Sequence, residues 1–539
     1  MHDRHRLLAG CAAAGLLLSA TVGQARADDS TAAEIALLKA QLKRLEAKVN
    51  AQEHRERERK QAEAAAPRKP AGQAPGAPGA PATQVAKASG PQVYGDGPAP
   101  QFVACPEKTL CYKGLTFKPG GFVALETVTR SRNLAADVGS PFGAIPFRQN
   151  RAGRTGEFRF SARQSRVSGL VEGNVDPATH LSGYGEFDFL GAGQTANSNE
   201  SNSFNLRIRH LYTTVDRSDY GLHFLAGQTW SLATMFTKGL EVRKEQIPLT
   251  IDAQYVPGFV WDRQPGVRIV KDISPILAVG IAAENPATTL SGAVPSGFTY
   301  NQTAVGGGLF NGANSISLNH APDLIAKVAY DPSVAGHDVH VEAFGLGRDF
   351  YSRFGGQNRD VIGGGGGGSI LVAAVPKMLD LQLSGAIGAG LGRYGTSQLP
   401  DITVSADGRA KPLPESMLLA GATLHATPML DFYAYAGLEQ EARSLQGTVA
   451  GVNYGYGNPL NSNAGCGIEG STATCTGNNR SVRQITAGLW DTVYNGAYGQ
   501  LRGGLQYSFT QRTAFSALQG GAPKADENTV LTSIRYYPF

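Results

Sequence analysis

The chain ends on TVLTSIRYYPF, Thr529 to Phe539. β-Branched and aromatic residues crowd a position where most chains fray into polar ones. Such an ending reads as a strand that the fold needs, and the residues upstream decide what it closes.

The sequence has 539 residues, 17% of them charged, and 68 glycines, about twice the usual glycine share. The formal net charge of +5 comes from Arg mixed with Asp and Glu. A nucleic-acid binder would concentrate its basic residues on one face, so no nucleic-acid partner is expected. Length alone suggests several domains, but an all-β barrel can be one large domain.

Residues 1–27 read as an export signal. Arg4 and Arg6 make a basic start, Leu7 to Ala20 is apolar but too short to span a bilayer, and Ala25-Arg26-Ala27 offers a cleavage site. Leu8-Ala9-Gly10-Cys11 resembles a lipoprotein box, yet the apolar core follows Cys11 where it should precede it. Beyond the signal no apolar run of helix length remains, which leaves a secreted protein, a periplasmic one or an outer-membrane β-barrel. Four cysteines follow, and an oxidising compartment allows the local disulfides Cys105–Cys111 and Cys466–Cys475. Zinc-finger spacing is absent, the ten histidines include no HExxH, and GAGLG (388–392) is not followed by a helical pattern. No metal, cofactor or catalytic set is expected.

Residues 28–66 carry Ile35, Leu38, Leu42, Leu45 and Val49 at three- and four-residue steps, the seam of a short coiled coil, with Thr31 and Glu34 as a capping box. A solvated single helix fits the same pattern. Residues 67–113 form a linker containing APGAPGAPAT. In an extended polyproline-like state it would reach on the order of 100 Å.

From residue 114 to 539 the period becomes two. In FRFSARQS (158–165), Phe158, Phe160 and Ala162 alternate with Arg159, Ser161 and Arg163; FNLRIRHLYTTV (204–215) does the same. Sixteen strand candidates follow: 115–130, 157–173, 179–190, 204–216, 219–230, 263–272, 276–284, 321–330, 336–348, 361–375, 377–392, 415–426, 430–441, 481–492, 497–511 and 528–539. Short turns such as Arg217-Ser218, Ser274-Pro275 and Asn495-Gly496 alternate with long polar connections such as 191–203, 285–320 and 442–480. A sandwich has no reason to sort loop lengths this way. The pattern predicts an all-β fold: a transmembrane antiparallel β-barrel of about 16 strands, apolar outside and polar within. Its last strand must pair with its first, because an open edge in lipid leaves backbone groups unsatisfied.

RFSARQSRVSG (159–169), RHLYTTV (209–215), FLAGQTWS (224–231) and RQPGVRIV (263–270) resemble the DcaP-like trimeric porins of Gram-negative bacteria, which also place a coiled coil ahead of the barrel. The resemblance implies a sixteen-stranded homotrimer in outer-membrane lipid that passes small anions such as dicarboxylates. A closing aromatic, here Phe539, is typical of such barrels and is read by the barrel assembly machinery.

In this register Arg159, Arg163, Arg207, Arg209 and Arg268 face the lumen. Guanidinium stays charged and grips carboxylates with two parallel bonds, so a row of them would favour anions. The alternative is that they brace the wall by pairing with Glu157 and Glu186. The connection 231–262, third on the long side, would fold inward and narrow the channel with Lys238, Glu241, Arg243, Lys244, Glu245, Asp252 and Asp262. Gly363 to Gly368 reads as a strand with a bare face, open to another chain or to an inward loop. Rival readings are a cell-wall tether using HRERERK (54–60) to hold peptidoglycan, a sugar-specific uptake channel, and an outer-membrane enzyme, for which no motif stands out.

Overall fold

Side chains that alternate between apolar and polar over sixteen successive segments have one stable arrangement in lipid, a sheet closed on itself. The computed structural model describes Lys43 and residues 109–191, 205–298 and 318–539. The expected signal peptide, coiled coil and most of the linker lie outside the described residues, as does Cys105.

Nineteen paired segments make one sheet. Setting aside the short Leu110–Tyr112 and Ser333–Val334 and counting one interrupted strand once leaves sixteen. They are β1 (Leu115–Arg130), β2 (Glu157–Ser161, then Arg166–Asp176), β3 (Thr179–Gly191), β4 (Asn205–Arg217), β5 (Leu222–Trp230), β6 (Arg263–Ser274), β7 (Leu277–Glu284), β8 (Asp323–Tyr330), β9 (His337–Phe354), β10 (Gln357–Val375), β11 (Leu379–Ala389), β12 (Pro414–Thr427), β13 (Leu430–Glu441), β14 (Asn479–Gly496), β15 (Gly499–Ala514) and β16 (Lys524–Tyr537). Every neighbouring pair is antiparallel, and β16 closes on β1 from Val123↔Tyr536 to Arg130↔Thr529. Among residues 109–539 that are described, no α-helix occurs.

The closing strand displays the rule of the whole wall. Glu527, Thr529, Ser533 and Arg535 are buried inside, while Val530, Ile534 and Tyr536 are exposed on the outer face. Arg535 Nη2 crosses the seam to Glu126 Oε1 of β1 at 2.6 Å, and Ser533 Oγ donates to the same oxygen. The strand ends at Tyr537, two residues before the expected limit, because Pro538 has no N–H to donate. Phe539 lies past the ladder and is exposed.

Other limits move as well. β9 runs six residues and β10 four residues beyond the expected ends, pairing from Asp349↔Ile362 to Phe354↔Gln357. They turn at Gly355-Gly356, both with positive φ (59° and 80°). A two-residue turn of that kind suits a hairpin and needs glycine. The connection expected to be long there is the shortest on its side. β2 breaks at 162–165, where Ser165 N and Oγ both donate to Ala162 O in a tight turn.

Buried apolar side chains lie inside the barrel, not outside. Val128, Trp230, Ile251, Tyr255, Val256, Phe259, Leu419, Tyr433, Tyr435, Trp490 and Leu531 form one cluster in which connection 231–262 meets β1, β5, β12, β13, β14 and β16. A second joins Leu232, Phe236, Leu240 and Val260 of that connection to β6 to β9, β11 and β12. The large exposed apolar residues, among them Phe158, Phe160, Ile281, Leu324, Ile485 and Ile534, point the other way.

Candidate functional site

Connection 231–262 leaves the top of β5 and crosses the lumen. Its backbone is held by the far wall: Gly258 N donates to Glu439 Oε1 (2.7 Å) and Leu249 N to Tyr435 Oη (3.1 Å), both on β13. Ile251 N donates to Gln506 Oε1 of β15 (2.5 Å), and Trp490 Nε1 of β14 donates to Leu249 O (2.7 Å). Gly437 permits this approach, since a Cβ there would stand 1.8 Å from Pro257 O. A hairpin inside the connection pairs Phe236 with Glu245. Its tip reaches the short-turn end, where Gly239 N donates to Asp331 Oδ2 (2.9 Å). The connection thus runs nearly the height of the barrel and divides its interior.

The charges expected on it take separate places. Lys238, Glu241, Arg243 and Lys244 are exposed around the hairpin tip. Arg243 donates to Tyr212 Oη (2.9 Å) and lies over the Tyr184 ring. Glu241 and Arg243 of this tip, with Arg268, Asp216, His223 and Asp272, line a cavity of about 220 Å³ near the short-turn mouth. Asp252 and Asp262 are buried braces, and Glu245 is half-buried. Asp262 pairs with Arg393 Nη1 at 2.6 Å. Asp252 accepts from Ser140 N and Gln254 N, and burial pushes its carboxyl up. Burial does the same to Glu245. Of the seven charges expected to narrow the channel, Lys238, Glu241, Arg243 and Lys244 are the exposed ones.

Four of the five expected arginines face inward. Arg159 lies opposite Val128 on the inner face of β1–β2 and bonds Glu157 Oε2 at 3.1 Å. Arg207 holds Asp188 with two bonds, 2.9 and 2.6 Å. Arg209 bonds Glu186 (2.5 Å), Asp188 (3.2 Å) and Tyr255 Oη (3.3 Å). It occupies a bulge between the pairs Phe187↔Ile208 and Glu186↔His210. The extra residue turns Arg209 and His210 inward together and shifts the alternation that follows. Arg268 is buried beside Phe236 and donates to Trp230 O. Arg163 differs from expectation. It sits in the break of β2, off the ladder, where it bonds Asp137 Oδ2 and Phe189 O. The tight turn at 162–165 removes it from the face of Arg159.

Sequence reasoning overlooked Arg166 and Arg263. Arg166 approaches Glu186 at 3.6 Å, and Arg263 stacks over Trp230 at 4.6 Å. Among the described residues Arg263 has no carboxylate within ion-pair distance. Arg166, Arg207, Arg209 and Arg263 thus surround Glu186, Asp188 and Tyr255, four guanidiniums against two carboxylates. Burial raises the Tyr255 hydroxyl, but Arg209, Arg166 and Arg263 outweigh it and bring it down to about 8. The signal for Arg166 and Arg263 was the inner parity of their strands after the break and at the strand start, which a fixed period cannot follow.

In the loops on the long side, Cys466 and Cys475 are joined as expected. Gln149 N of the first long connection donates to Cys466 O, and Arg154 pairs with Glu469.

Several solved structures share this architecture. The outer membrane channel DcaP of Acinetobacter baumannii matches with a TM-score of 0.55 at 18% identity, over 78% of this chain and 98% of that one. More distant are Salmonella typhi OmpF (TM-score 0.43, 10% identity, 80% and 99% covered) and an anion-selective porin from Comamonas acidovorans (0.41, 9%, 78% and 99%). No protein-family profile and no curated protein sequence matches the chain. The chain carries the outer-membrane β-barrel fold of the DcaP channel.

Proposed function

We propose that the protein is an outer-membrane diffusion porin that prefers small anions such as dicarboxylates. The observation that carries this reading is the charge at the inner waist, where Arg166, Arg207, Arg209 and Arg263 outnumber Glu186 and Asp188. A low-dielectric wall strengthens that excess, lowering the entry barrier for anions and raising it for cations. Arg207 and Arg159 are the most exposed of the inner arginines (33% and 41% of their side chains), and they meet the solute. Arg209 and Arg166 supply field from behind. The hairpin tip with Lys238, Glu241, Arg243 and Lys244 forms the second selection step near the short-turn mouth.

The functional unit is a homotrimer in outer-membrane lipid. Phe539, beside the closing strand, is the feature for the assembly machinery, and the N-terminal region belongs to the periplasmic side. The test is the reversal potential of the purified protein in a planar bilayer under a salt gradient. A potential of the sign set by anions is expected; cation preference overturns the assignment.

A further inference from the structure

A second cluster of charged side chains lies on the outer face, away from the inner arginines. His320, Asp349 and Asp360 come from three segments and meet on the outer face of the tall β9–β10 hairpin. Asp349 is opposite Ile362 and Asp360 is opposite Tyr351, the parity that points away from buried Arg348 and Phe350. Asp349 stands twelve residues along β9. At about 3.3 Å per residue and a tilt near 45°, that is roughly 28 Å up, just beyond an apolar band about 25 Å tall.

His320 Nδ1 is 3.1 Å from Asp349 Oδ2 and 3.5 Å from Asp360 Oδ1. One donor atom from each residue falls within 4.8 Å of the others. Asp349 is only 8% exposed; its Oδ2 makes no hydrogen bond, and its ion-pair contact is His320 Nδ1. A buried carboxylate oxygen held only by an ion pair draws a cation. His320 and Asp360 remain about half exposed, leaving the cluster open on one side. The backbone around it is fixed: Tyr351 N donates to Leu318 O (2.8 Å) and Asn319 Nδ2 to Asp349 O (3.0 Å). The His320 ring packs edge-on against Tyr351 at 4.5 Å.

We infer that His320, Asp349 and Asp360 form a binding site for a borderline divalent transition ion such as Zn²⁺. Bonds of about 2.0–2.2 Å in a tetrahedron put donors about 3.4 Å apart, close to the two spacings from His320, so side-chain rotation alone closes the set. An imidazole beside two carboxylates suits zinc-like ions; Ca²⁺ asks for six to eight oxygens and Mg²⁺ for an octahedral shell with retained water. Three protein ligands leave the fourth position to water on the open side. The ion would fasten Leu318–Ala321, the end of connection 285–322, to the top of the hairpin.

The experiment is calorimetric titration of the folded, detergent-solubilised, EDTA-stripped protein with ZnCl₂, with CaCl₂ and MgCl₂ run alongside. One Zn²⁺ per chain is expected. His320→Ala and Asp360→Asn, both exposed and safe for folding, should each weaken it by more than about tenfold, which is the loss that even an outer-sphere change produces. Asp349→Asn should do the same wherever its heat-dependent gel shift is intact. Three results overturn the site: no saturable uptake, uptake that survives His320→Ala, or Ca²⁺ bound as tightly as Zn²⁺.

Discussion

Two walls of one barrel are built by opposite rules. Along β3 to β6 the inner face is made of long charged and aromatic side chains, Glu186, Asp188, Arg207, Arg209, Arg263 and Arg268, each fixed by a partner or a ring. Along β10 and β11 the inner face is bare. Gly363 to Gly368 run through six ladder pairs, and Gly365 faces Gly388 directly. Here fit is set by backbone: a Cβ on Gly365 would be 2.3 Å from Ile387 O and 2.7 Å from Gly388 Cα. The first wall places charge, and the second leaves no room for side chains. A sheet needs only its alternation to close, so the two faces of a strand are free to diverge this far.

The comparison breaks first at the charged wall. Arg209 is 3% exposed and neutralises two carboxylates. Arg209→Ala strands part of that charge in low dielectric, and losses of about 3–5 kcal/mol are usual for a buried pair broken on one side. Arg263→Ala strands nothing, since among the described residues no carboxylate pairs with it. It gives up a stacking contact of about 1 kcal/mol over Trp230. Urea unfolding followed by the gel shift should separate them clearly, and Arg263→Ala should still lower the anion-sign reversal potential. Equal stability losses would mean that the cluster does not discriminate paired from unpaired guanidiniums.

The bare wall is tested by one added side chain on each face. Gly365→Val meets backbone that cannot rotate away, so the cost sits at or above the upper end of the roughly 1–3 kcal/mol typical of overpacking. Gly345 lies on the outer face of β9 with open space around its position. Gly345→Val should be neutral or slightly favourable, within about 1 kcal/mol, as β-branched residues are in strands. If both behave alike, the glycine run is tolerance and not close approach.

The order of the sixteen strands was legible, because burial in lipid forces period two and short turns at one end. Thr529, Ser533 and Arg535 against Val530, Ile534 and Tyr536 state it within one strand. Places where the period slips were not legible. The break at 162–165 moves Arg163 off its face, and the bulge at Arg209 turns two neighbours inward; both are backbone events that no side-chain pattern records. The Gly355-Gly356 turn was readable, being the glycine pair a two-residue hairpin demands, but alternation beyond 348 is masked by a buried Asp349 on the outer face. The inward charges of 231–262 could be named, yet not sorted. Whether Asp252 is a lumen charge or a brace depends on Ser140 and Gln254, one of them more than a hundred residues away. His320, Asp349 and Asp360 are likewise joined only by the hairpin, which explains why spacing gave no ligand signal.

The smallest effect is a single proton. Tyr255 Oη accepts from Arg209, and its hydroxyl titrates near 8. Below that pH the waist carries four guanidiniums and two carboxylates, a local excess of two positive charges. Above it the phenolate reduces the excess to one. Anion preference should therefore fall as pH rises through about 8, with most of the change complete within one unit on either side. Tyr255→Phe removes the ionising group and keeps the ring that packs against Trp230 and Phe259, so its reversal potential should be flat over the same range. A wild-type curve equally flat would place the phenol outside the field felt by the solute, and the selectivity would then belong to Arg159, Arg207 and the hairpin tip.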